Sequence, residues 1–127
     1  MVELSLTVHR ESYVLVKMQP GGIFHESGRG RFSSVSWLNG EATVACESAF
    51  APTEGEIQHG FRLIEIGGDF ALDSIGVVAA VAGPLAASGV SLFAFSVWST
   101  DVFLVQDADL ERATLALVDA GHFIIRA

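Results

Sequence analysis

An α+β fold with the element order β-α-β-β-α-β is predicted for the second half of this 127-residue chain. Three observations predict it. Apolar runs of strand length recur at "FRLIEI", "VSLFAFSVW" and "VFLVQ". Two stretches between and after them carry apolar residues at helical spacing, and each ends on a glycine. The resulting order is that of the split βαβ, ferredoxin-like arrangement, a four-stranded antiparallel sheet with two helices on one face.

Each element has its own reason. Phe61 to Ile66 alternates as a strand, with Phe61, Leu63 and Glu65 on one face. The chain turns over Asp69 to Asp73, and Asp73 or Ser74 is placed to cap a helix by accepting a bond from a free backbone N–H. That helix is expected from Ser74 to Ser88, with Gly89 as its stop. Ile75, Val78, Ala79, Ala82 and Ala86 make one apolar stripe along it. Pro84 lies inside and removes one internal bond. Val90 to Trp98 and Val102 to Gln106 form a hairpin. They meet at Ser99-Thr100-Asp101 rather than at the Asn-Gly or Asp-Gly of a two-residue turn. Both faces of Val90 to Trp98 are largely apolar, so the face turned away from the helices requires a covering partner. The second helix starts at Asp107 or Asp109, turns Leu110, Ala113, Thr114 and Leu117 inward, and ends at Gly121. "HFIIRA" is the last strand.

The first half echoes the second. "SWLNGEATVACE" (Ser36 to Glu47) lies over "SVWSTDVFLVQD" (Ser96 to Asp107) at a constant offset of 60. The opening strands at Tyr13 and Phe61 are only 48 apart, so the first copy has 12 fewer residues before its hairpin. A full helix does not fit there, and "QPGGIFHESGRG" reads as a loop with one helical turn around Ile23 to Glu26. The expectation is a trimmed, helix-poor unit over residues 1–60 followed by a complete unit over 61–127. A single unequal domain is the alternative.

Composition bounds the function. Half of the residues are hydrophobic and 17% are charged, as a folded core requires. The net charge of −8 argues against nucleic acid, whose phosphates select Lys and Arg, and against an anionic membrane surface. No apolar run reaches the ~20 residues of a membrane span. Glu3, His9, Arg10 and Glu11 stand where a signal peptide needs an apolar core, and the lone Cys46 has no internal disulfide partner. A cytoplasmic protein is expected. His9, His25, His59 and His122 show no ligand spacing, so they read as solvated and no metal or cofactor is expected. Cys46 sits in an apolar strand as a small hydrophobe. "GGIFHESGRGR" lacks the ending of a phosphate loop. No nucleophile-base or acid-base pair is legible, so no enzyme is expected.

The run from Phe61 to Gly121 resembles the ACT domain. It is closest to the paired-ACT group that includes the arginine sensors of the CASTOR type and many small bacterial proteins. The carrying features are Gly76 after the first strand, the helix at Gly83-Pro84-Leu85, "SGVSLFAFS" leading into the hairpin, and "STD" before "FLVQDADLERA". In the first half only the Tyr13 to Lys17 strand and "ATVACE" fit. The resemblance implies a non-enzymatic regulatory protein that binds a small ligand, an amino acid above all, at an ACT–ACT interface, and that assembles as a homodimer or larger oligomer. By position it implies ligand contacts at Asp73, Ser74, Ile75, Gly76 and Val77 in the loop entering the helix. From the hairpin it implies contacts at Phe95, Ser96, Ser99, Thr100 and Asp101. Asp101 would hold the ligand's ammonium, and free N–H groups at the helix start its carboxylate. The alternative is a protein-interaction module with a degenerate pocket.

Overall fold

The computed structural model describes residues 3–19, 29–68 and 75–127. The expected cap residues Asp73 and Ser74, and the helical turn at Ile23 to Glu26, lie outside the described residues. The elements run β1 (Ser5–Met18), β2 (Ser34–Leu38), β3 (Glu41–Glu47), β4 (Glu56–Ile66), α1 (Val77–Ala87), β5 (Leu92–Ser96), β6 (Asp101–Gln106), α2 (Leu110–Asp119) and β7 (Phe123–Arg126). Two compact units form. One comprises Met1–Arg10 and Arg62–Ala127, the other Glu11–Phe61.

In the larger unit the strands follow the order β7-β1-β4-β6-β5. The sheet expected from the sequence had four strands. The first half of β1 is the fifth: Ser5 to Val8 pair in parallel with Phe123 to Arg126, and Ser5 O accepts the Gly67 N–H at 2.8 Å. The final strand therefore pairs with the chain's beginning. Local periodicity carries no information about so distant a pairing.

The two helices close over one core. Leu6, Val8, Ile64, Ile66, Val81, Leu85, Phe103, Val105, Ala113 and Leu117 are buried together. α2 buries Leu110, Ala113, Thr114 and Leu117, as its spacing predicts. The stripe expected on α1 is displaced. Val77, Val81 and Leu85 face the core, whereas Ile75 is 92% and Val78 40% exposed. The eleven residues of α1 contain no charged or hydroxylic side chain, so no polar face fixes its rotation in the sequence. Both helices end alike. Val90 N bonds Leu85 O and Gly89 N bonds Ala86 O; His122 N bonds Leu117 O and Gly121 N bonds Val118 O. These are paired 6→1 and 5→2 bonds of the Schellman type.

In the smaller unit β3 pairs antiparallel with both β1 and β2. Asn39 and Gly40, both at positive φ, form the β2–β3 turn. Val14, Val16, Met18, Ala42, Val44 and Cys46 make its core.

Two histidines depart from the solvated reading. His9 and His122 are each only 5% exposed. His9 Nε2 meets Glu65 Oε1 at 2.8 Å. The ring of His122 bonds Leu4 and Ala80.

Candidate functional site

The expected ligand residues fall on two features of the larger unit. The first is the start of α1. Gly76 precedes the helix at φ 84, a left-handed conformation that side chains adopt at a cost. Among the described residues no side chain caps the helix, and its first turn holds no acidic residue. Ala80 N already bonds Gly76 O at 3.0 Å. The N–H groups of Val77, Val78 and Ala79 precede the first such bond, so they have no partner along the helix. A Cβ built on Gly76 would meet nothing within 4 Å, so the backbone there stands open. Of the five residues expected here the three described are Ile75 and Gly76, which are exposed, and Val77, which is buried. The positive end of the helix dipole is thus left without a protein anion in its first turn.

The second feature is the β5–β6 turn. Ser96 pairs with Asp101 across the hairpin, and Val97 N bonds Thr100 O at 2.9 Å. Trp98 and Ser99 occupy the tip, and Trp98 is 78% exposed. The Ser96 hydroxyl donates to Asp101 Oδ1 at 2.5 Å, which fixes the carboxylate against its own strand pair. The Thr100 hydroxyl donates to Ile66 O at 2.8 Å. Ile66 is the last residue of β4, so this bond ties the turn to the strand that leads toward α1. Asp101 is half-buried, and Phe95 is partly covered on β5.

Ser96, Thr100 and Asp101 are therefore brought together with the end of β4. Ile75, Gly76 and Val77 form a separate group at the start of α1. The contacts of Asp101 and Thr100 run within the hairpin and to β4, and none of them reaches that group. Sequence reasoning missed the Thr100–Ile66 tie, because a hydroxyl bonding a carbonyl distant in sequence leaves no local pattern. A cleft of about 450 Å³ lies along the outer side of α2, lined by Asp109, Glu111, Arg112, Leu115 and Asp119 among others. It shares no residue with the candidate set.

The remaining chemistry is structural. Cys46 is buried at 0% exposure, and burial, with Glu47 adding to it, pushes its thiol up to about 11. That suppresses the thiolate a nucleophile needs. Among the described residues no group of three or more His, Cys, Asp or Glu is placed to hold a metal ion. Among them, too, no helix is long and apolar enough to cross a membrane.

Solved structures share this architecture. A protein from Agobacterium tumefaciens is 26% identical, with a TM-score of 0.90 over 100% of this chain and 96% of that one. A Vibrio cholerae protein of unknown function, described as a possible transport protein, is 20% identical with a TM-score of 0.69, over 94% of this chain and 91% of that one. The regulatory subunit of aspartate kinase from Thermus thermophilus, in ligand-free form, is 12% identical with a TM-score of 0.65, over 91% and 95%. No curated protein matches the chain significantly. The ACT domain matches residues 56–119, just over half of the sequence, and spans β4 through α2. The chain belongs to the ACT domain family.

Proposed function

We propose that this protein is a non-enzymatic regulator that binds a free amino acid at the α1 start and the β5–β6 turn, where ACT units of two copies meet. One observation carries the reading. The first turn of α1 carries no charged side chain, and the backbone beside Gly76 is open, a donor set matched to a carboxylate. Asp101, held by Ser96, offers an acceptor for the ammonium end. The fold shared with aspartate kinase regulatory subunits is in keeping with a metabolite-responsive role. The paired-ACT arrangement of the CASTOR type is part of the same reading.

The test is a thermal-shift screen of the twenty amino acids, followed by calorimetry on any hit. A ligand at 100 times its Kd adds about 2.7 kcal/mol, which raises Tm by roughly 10 °C in a chain of this size. Asp101→Asn keeps an acceptor for the Ser96 hydroxyl but removes the charge. Affinity should fall at least tenfold. Affinity retained in Asp101→Asn removes Asp101 from the site, and no hit at all removes the amino acid.

A second reading, an interaction module, is favoured by the exposed apolar side chains of two hairpins. Phe93, Val97 and Trp98 stand out from one, Trp37 and Leu38 from the other. It predicts a tight protein partner and no ligand response.

A further inference from the structure

Pro84 lies inside α1 and has no N–H. In an uninterrupted helix that N–H would bond the carbonyl four residues earlier, which is Ala80 O. His122 Nε2 lies 2.7 Å from this oxygen. On the other side of the ring, His122 Nδ1 lies 3.1 Å from Leu4 N. A carbonyl only accepts and an amide N–H only donates. Nε2 must therefore carry the proton, and Nδ1 must be bare. The backbone of His122 is fixed as well, through its N–H on Leu117 O at 3.1 Å. Leu4 is in turn held by Phe123 N on its own carbonyl at 2.8 Å.

We propose that His122 replaces the hydrogen bond that Pro84 deletes from α1, and that this neutral imidazole latches α1 to the segment before β1. The proposal is independent of any ligand. A second proton would go to Nδ1 and confront the Leu4 N–H, donor against donor. Both bonds therefore require the neutral ring. The groups that meet the ring, Leu4 N–H and Ala80 O, are uncharged. α1 carries no charged residue, and those on the other packed elements, Glu3 before β1, Glu111, Arg112 and Asp119 on α2 and Arg126 on β7, are exposed.

Two measurements on the full chain test this. Long-range proton–nitrogen NMR of the wild type near neutral pH should show the ring as the Nε2–H tautomer. The Nδ1–H tautomer or a charged ring would overturn the proposal without any variant having to fold. A double-mutant cycle then isolates the substitution of one bond for another. His122→Ala should lower Tm by about 4–8 °C or more, the scale of leaving a buried acceptor unpaired. In the Pro84→Ala background, where the backbone again supplies an N–H to Ala80, that loss should shrink by about half. An equal loss in both backgrounds refutes the replacement.

Discussion

The rotation of α1 about its own axis can be tested by a matched pair of truncations. Leu85 is fully buried among Val81, Val90, Ala113 and Leu117, whereas Val78, a residue of the stripe predicted from sequence, is 40% exposed. Leu85→Ala removes three carbons from a packed site and leaves a cavity that relaxes only in part. Buried Leu→Ala changes cost about 2.7–5 kcal/mol. For a chain between the ~100- and ~150-residue size classes, ~3 kcal/mol corresponds to a fall in Tm of roughly 10 °C. Val78→Ala removes two carbons that are already part-solvated, a loss below ~1 kcal/mol. The better helix propensity of Ala returns about half of that. Chemical denaturation followed by far-UV circular dichroism on both variants gives the comparison directly. Equal losses, or a larger loss at Val78, would refute the placement of Val77, Val81 and Leu85 toward the core.

Two further outcomes are expected. Gly55 and Gly40 both have positive φ, but a Cβ on Gly55 would lie 2.7 Å from Lys17 O, whereas one on Gly40 meets nothing within 4 Å. Gly40→Ala should therefore cost only the left-handed backbone penalty of ~1–2 kcal/mol, and Gly55→Ala ~1–3 kcal/mol more, by denaturant titration. Equal costs would contradict the close approach. Cys46 should resist a thiol reagent at pH ~8 in the native protein and react at once in denaturant. With its thiol raised from 9.0 to about 11 when folded, stability from this group is lost as pH rises through that interval. Tyr13, whose phenol is also raised mainly by burial, acts in the same direction at higher pH.

What the sequence made legible follows from contrast within each segment. α2 alternates Glu111, Arg112 and Asp119 with Leu110, Ala113 and Leu117, so its inward face could be read at once. α1 is apolar all round, and its rotation was set by neighbours the sequence does not name. The β5–β6 hairpin and its polar turn were legible because their pairing is local. The pairing of β1 with β7 was not, since its registers join residues more than a hundred positions apart. His122 left one indirect signal. A proline inside a helix orphans the carbonyl four residues before it, and a buried donor has to come from elsewhere. Of the candidate site, the hairpin half could be placed, and Asp73 and Ser74 lie outside the described residues.

The course of β1 has a consequence for how the chain acquires its structure. Ser5 to Val8 leave the ribosome long before one of their two neighbouring strands, Phe123 to Arg126, is made. Until then that edge of the early strand exposes unpaired backbone groups, the condition that favours pairing with the wrong chain. Closing so long a loop is also slow, because the entropy of joining distant segments is spent before their contacts form. Completion of the larger unit thus waits on the synthesis of β7. Deleting Phe123 through Arg126 would leave β1 unpaired on that side, with α1 and α2 otherwise encoded in full.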